Sequence, residues 1–373
     1  MLFFKSGEKM SSIEKYVDPS ILKCMPYQPG KPIEETAREL GIDPASIIKM
    51  ASNECPLGPA PRALKAMRKY LREMQLYPDG GAYYLKKKLS EKIKLPENNF
   101  ILGNGSNEIL EFISLCLLKP GASAVMSQYA FVVYKILASM HGAEAVEVPA
   151  DGLGHNLMAM LKAIKPGTRV VYICNPNNPT GTMVGNRQIN AFMKKVPDDV
   201  LVVFDEAYVE ICPVKAPDTL KYVREGRNVI VLRTFSKAYG LAGLRVGYGI
   251  AKPELINILE KVRQPFNVNR MAQLAATAAL SDVGFVRKSK KLYKEGARKI
   301  ADFCNKRKIA YEPTFTNFML IKVGDGASVF KKLEKKGVIV RPMGPYGLNE
   351  WIRVSLGTEE ENLRFINELG KIL

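Results

Sequence analysis

From about residue 60 to residue 260 the chain alternates between two hydrophobic textures. Short apolar runs, many of them β-branched, fall at 100–103, 124–126, 146–148, 169–173, 200–204, 229–233 and 247–250. Between them lie stretches whose apolar residues recur at helical spacing. Several of the short runs are apolar almost throughout, as expected of strands covered on both faces. Such strands alternating with helices predict an α/β domain with a mostly parallel sheet flanked by helices. After about residue 265 the texture changes to longer helices, an Ala-rich one over 272–280 and a Lys-rich one over 285–306. Three further runs, 318–323, 338–341 and 351–354, predict a second, smaller sheet. The expected organisation is therefore an arm plus part of the small domain at 1–55, a large domain at 56–265 and a small α+β domain at 266–373.

Composition agrees with a folded chain of this kind. The 373 residues are 47% hydrophobic and 25% charged, near the globular average, and a prior of roughly 150 residues per domain gives two domains. No apolar stretch approaches the roughly 20 residues a bilayer crossing needs, and Met1-Leu2-Phe3-Phe4 is too short for a secretory leader. A cytoplasmic protein without membrane contact is expected. The six cysteines are widely spaced with no C-x-x-C pair, so they are read as reduced core residues, with no metal. With only two histidines, His141 and His155, proton transfer falls to Lys, Tyr or carboxylates. Lys and Arg total 55 against 37 Asp and Glu, a net charge of +18, which raises nucleic acid as a partner. The basic residues are spread along helical faces, however, so no nucleic-acid partner is expected.

Chemistry-bearing residues gather at strand ends. The run 100–103 passes into G-N-G-S-N-E at 103–108, ahead of an apolar-periodic helix over 109–118. Small residues at a strand-to-helix turn let backbone N–H groups meet an anion at the helix's positive end. Neither the dinucleotide G-x-G-x-x-G nor the P-loop pattern is present. The run 169–173 ends in N-P-N-N-P-T-G at 175–181, a constrained loop where parallel sheets bind ligands. The next buried strand ends in F-D-E-A-Y at 204–208, and a carboxylate there, Asp205, calls for a cationic partner. A fourth strand leads into R-T-F-S-K-A-Y-G-L-A-G-L-R-V-G-Y at 233–248. Burial and neighbouring cations would lower the pKa of Lys237 and make it a nucleophilic amine, with Ser236 and Arg245 as further anion donors. Together these supply an anion cradle, a hydrogen-bonding Asn, a carboxylate awaiting a cation and a reactive lysine. Pyridoxal 5'-phosphate requires that set.

With these motifs in this order the chain resembles the class I and II aminotransferases of PLP fold type I, most like the branch that acts on histidinol phosphate. The resemblance runs from M-P-Y-Q-P-G-K at 25–31 through A-S-N-E-C-P-L-G-P at 51–59 to R-V-S-L-G at 353–357. It implies that Lys237 carries the cofactor, that Asp205 pairs the pyridine nitrogen, and that Asn178 and Tyr208 bond its phenolic oxygen. It also implies phosphate contacts from Gly105, Ser106, Asn107, Thr234, Ser236 and Arg245, and from Tyr77 of a second subunit in a homodimer. Phe131 is expected to stack on the ring, with Tyr129 as the other candidate. Tyr27, Asn53, Arg341 and Arg353 would bind substrate, the two arginines gripping an anion bidentately. Two positions depart from the family pattern: Asn107 stands where an acid is common, and Phe131 where a tyrosine is common. The implied reaction is ping-pong amino transfer between glutamate/2-oxoglutarate and imidazole acetol phosphate/L-histidinol phosphate. An aromatic amino-acid aminotransferase and a phosphothreonine decarboxylase are the alternatives.

Overall fold

The computed structural model describes residues 13–24 and 30–373. Among the described residues thirteen strands form three sheets. The short β1 (Ile48–Lys49) precedes a seven-stranded sheet made of β2 (Phe100–Gly103), β3 (Ser123–Ser127), β4 (Glu144–Val148), β5 (Thr168–Cys174), β6 (Leu201–Asp205), β7 (Val229–Thr234) and β8 (Gly247–Ala251). Its spatial order is β2-β8-β7-β6-β5-β3-β4. Only β8 runs antiparallel to its neighbours β2 and β7; the other pairs are parallel. The helices between the strands cover both faces, so the strands other than the edge strand β4 are buried on both sides and their alternating residues enter two different cores. Val171, Ile173, Val202, Phe204 and Val231 join one. Val170, Tyr172, Val203, Ile230 and Leu232 join the other, beneath the helices Ser106–Leu117, Val133–Met140 and Pro253–Glu260. Each such side chain withdrawn from water contributes roughly 1.5–3 kcal/mol.

β9 (Tyr311–Glu312), β10 (Phe318–Lys322), β12 (Arg341–Pro342) and β13 (Trp351–Ser355) form an antiparallel sheet in the order β12-β13-β10-β9. The single strand expected over 338–341 is two. β11 (Val338–Ile339) pairs in parallel with β1, whereas β12 pairs with β13. An apolar run shows how deeply it is buried, not which partner its backbone takes, and the chain changes sheets at Val340. The helix Ser106–Leu117 also starts three residues before the apolar repeat does, because its first turn is polar. The long helices span Arg270–Ala279 and Val283–Arg307. No described helix is long and apolar enough to cross a membrane.

The register decides what the sheet presents at one end. Gly103 and Thr234 both lie opposite Gly247, and Cys174 lies opposite Asp205. The ends of β2, β5, β6 and β7 therefore open on a common edge, with β13 approaching from the second sheet.

Candidate active site

A cavity of about 860 Å³ opens at that edge, within the range of small-molecule sites. Gly105, Ser106, Asn107, Phe131, Asn178, Asp205, Tyr208, Thr234, Ser236, Lys237 and Arg245 all line it, and so do Asn53, Arg341 and Arg353. Two expected residues do not. Tyr129 turns into an apolar cluster with Leu320, Met343 and Leu348, so of the two stacking candidates it is Phe131 that lines the cavity. Tyr77 is 79% exposed on the outer surface and stacks on Phe266 with ring centroids 4.9 Å apart. Tyr27 lies outside the described residues.

The anion cradle is built from backbone. Gly105, at φ 77°, caps the helix Ser106–Leu117 and aims its first amides outward. A side chain at Gly105 would collide with Arg245, since a Cβ there falls 2.5 Å from Nη2. The glycine thus lets the guanidinium lie against the loop. Beside it the Thr234 hydroxyl donates to Ser236 Oγ at 3.0 Å, which leaves the Ser236 proton free to point at an anion. Asn107 is exposed at the rim. The next residue, Glu108, accepts from the Asn104 amide at 2.7 Å and from Asn267 Nδ2 at 2.5 Å, which braces the turn.

Asp205 is 4% exposed and makes no ion pair among the described residues. The nearby guanidinium of Arg233 is engaged one residue on, donating through Nε (3.0 Å) and Nη2 (2.8 Å) to Glu206. Asp205 instead accepts from the Tyr134 hydroxyl at Oδ2, 2.7 Å, while its Oδ1 is buried without a hydrogen-bond partner. Burial pushes its pKa up to about 6, against the pull of the Tyr134 hydroxyl and the Ala207 amide. A carboxylate so placed can accept from a ligand that brings its own N–H.

Lys237 is held at pKa about 8, chiefly by burial and secondarily by the positive charges of Arg353 and Arg245, with Glu54 opposing. Its Nζ lies 3.4 Å from the Ser52 carbonyl and 5.9 Å from the Tyr208 ring centre. Burial raises the Tyr208 phenol well above its usual range, so it stays protonated, and its oxygen accepts from Asn53 Nδ2 at 3.2 Å. Arg353 donates through Nη1 to Asn178 Oδ1 at 2.6 Å and through Nη2 to the Ala51 carbonyl at 2.9 Å. Arg341 is its direct register partner across β12 and β13, so two guanidinium groups face one cavity wall.

The family model described as aminotransferase class I and II matches residues 45–369. The chain belongs to that family. Over 363 residues this aminotransferase is 49% identical to the histidinol-phosphate aminotransferase of Akkermansia muciniphila, with 97% of this chain and all of that one aligned. It is 46% identical over 366 residues to histidinol-phosphate aminotransferase 2 of Pseudomonas aeruginosa, covering 98% and 99% of the two chains. A histidinol-phosphate aminotransferase from Sinorhizobium meliloti, solved in complex with pyridoxal-5'-phosphate, superposes with a TM-score of 0.86 at 28% identity, covering 96% of this chain and 98% of that one. The aminotransferase is thus an α/β protein of PLP fold type I.

Sequence reading passed over two features of this aminotransferase's site. One is Tyr134, whose amide donates to the Phe131 carbonyl at 3.1 Å in the turn that leads into the helix Val133–Met140. The other is the wall of Met343, Pro345 and Tyr346, which follows β12 and carries no recognisable motif.

Proposed function

We propose that the protein is a pyridoxal 5'-phosphate-dependent histidinol-phosphate aminotransferase of histidine biosynthesis. It would move an amino group between glutamate/2-oxoglutarate and imidazole acetol phosphate/L-histidinol phosphate. The observation that carries the cofactor is Asp205 Oδ1, a buried carboxylate oxygen with no partner, in the same cavity as a lysine of depressed pKa and a glycine-lined helix N-terminus. The substrate pair rests on the relatives at 46–49% identity over almost their whole length.

When bound, pyridoxal 5'-phosphate supplies an electrophilic carbonyl for the amino group and a ring that accepts the electrons released at the substrate Cα. The chain's residues do the rest. The amides at Ser106 and Asn107, the Ser236 hydroxyl oriented by Thr234, and Arg245 would hold the phosphate. Asp205 would keep a proton on the ring nitrogen, a low-dielectric ion pair that one pKa unit of tuning changes by about 1.4 kcal/mol. Phe131 would pack on the ring, and Asn178 and Tyr208 would bond its phenolic oxygen. Lys237, with a neutral fraction near pH 7 far above that of an ordinary lysine, would take the Cα proton at Nζ and return it. Arg353 and Arg341 would fix the substrate anion and so orient the Cα–H bond. A cytoplasmic homodimer belongs to the same reading, with the exposed Tyr77 and Phe266 facing a second copy so that Tyr77 reaches the other phosphate.

Borohydride treatment of the pyridoxal phosphate-loaded protein, followed by peptide mapping, should place the label on Lys237, and Lys237→Ala should abolish turnover. Steady-state kinetics should give a higher kcat/KM for L-histidinol phosphate than for phenylalanine as amino donor. A reversed order would move the reading to an aromatic aminotransferase.

A further inference from the structure

The two oxygens of Asp205 have different surroundings. Oδ2 takes the Tyr134 hydroxyl at 2.7 Å, and Oδ1 takes nothing. Tyr134 is itself fully buried, stacked on Tyr172 with centroids 4.4 Å apart and planes within 2°. Its edge meets Phe131 at 5.7 Å. It therefore has little freedom to leave the carboxylate. The other titratable groups near Asp205 do not replace it. Glu206 is engaged with Arg233 and Thr219, and its charge raises the Asp205 pKa. The Cys174 thiol on the adjacent strand and the Tyr208 phenol are both driven up by burial and stay neutral.

We propose that Tyr134 is a positioning residue for the cofactor: by holding Oδ2 it keeps Asp205 ionised and turned so that Oδ1 alone meets a protonated ring nitrogen. This deepens the reading above and rests on it. A hydroxyl bonded to a buried carboxylate favours the charged form. Without it, burial acts unopposed by any side chain, and Asp205 is neutral over a wider pH range and free to turn about its Cβ–Cγ bond.

The test measures binding to the full-length apoprotein from pH 5 to pH 9. The probes are pyridoxamine 5'-phosphate, which forms no bond to Lys237, and its analogue with carbon in place of the ring nitrogen. Subtracting the analogue removes the titration of the phosphate and of Lys237, leaving the contribution of the ring nitrogen. In the wild type that contribution should fade as pH drops through about 6. In Tyr134→Phe the fading should move upward by about one to two pH units, with binding on the order of tenfold weaker at pH 6 and the carbon analogue unaffected. Tyr172→Phe, which removes a hydroxyl from the stack but not from Asp205, should behave as wild type. If Tyr134→Phe does not fold, 3-fluorotyrosine at position 134 keeps the hydroxyl and makes it a stronger donor, and the midpoint should then move down. An unchanged midpoint in either variant, or an equal loss for both probes, overturns the proposal. Absence of the borohydride label on wild-type Lys237 would instead overturn the cofactor assignment itself.

Discussion

Gly247 offers a quantitative check on how the anion cradle is built. A Cβ added there would lie 2.5 Å from the Ser106 amide nitrogen, 2.8 Å from the Gly105 carbonyl carbon and 3.0 Å from the Arg233 oxygen. All three are backbone atoms, so no side chain can swing away. Ordinary contact needs about 3.5 Å, so the turn must retreat by roughly 1 Å. It cannot do so freely, because Gly247 is locked in register between Gly103 and Thr234. Overpacking of this kind costs about 1–3 kcal/mol, more than the few tenths to 1 kcal/mol that Gly→Ala recovers from the unfolded chain. The displaced amide is also the one assigned to the phosphate, and a 1 Å misplacement can cost on the order of a hundredfold in function. Gly247→Ala should therefore lower the urea midpoint of the apoprotein and weaken pyridoxal phosphate binding by at least about tenfold. Gly243→Ala is the matched control: a Cβ there meets nothing within 4 Å, and its stability should stay within about 0.5 kcal/mol of wild type. If the two variants unfold and bind alike, the close approach of backbone to backbone is not what the glycine serves.

Two other outcomes follow from charges around the sheet end. Arg233→Met strands the 3%-exposed Glu206 side chain without its cation and should cost about 3–5 kcal/mol in urea unfolding, part of it recovered in the Glu206→Gln/Arg233→Met double variant; a loss under about 1 kcal/mol would contradict the buried-pair argument. Asp205, with its folded pKa raised to about 6 from an ordinary value near 3.9, binds more protons folded than unfolded in that window. Apoprotein stability should accordingly fall, on the order of 1–3 kcal/mol, as pH rises from about 4 to about 6. Asp205→Asn should lack that slope and be relatively more stable at pH 7.5 than at pH 4.5; an identical difference at the two pH values would refute it.

Much of the large sheet was legible because its strands are short, apolar and covered on both faces, a pattern that survives without knowledge of neighbours. All seven expected runs became strands, most lengthened by a residue or two at their ends. The chemistry-bearing motifs were visible for a related reason: each follows directly on a strand, so position along the chain nearly equals position at the sheet edge. The segment 338–341 was misread as one strand because its hydrophobicity reflects burial in two different sheets. Which neighbours Asp205 would have was not legible: Arg233, one strand over, bonds Glu206, and Asp205 takes the Tyr134 hydroxyl.

What the sequence determined by itself was local: which segments are strands or helices, and which reactive groups end them, since periodicity and turn chemistry act over a few residues. Only the tertiary structure decided which of those groups meet. Tyr134 reaches Asp205 across 71 positions and Arg353 reaches Asn178 across 175. Those meetings depend on the order β2-β8-β7-β6-β5-β3-β4 and on the register of its pairs, which are settled by packing of whole layers rather than by any short stretch of chain. Low-dielectric burial at that shared edge then gives a lysine and a carboxylate proton affinities that neither would have on an open chain.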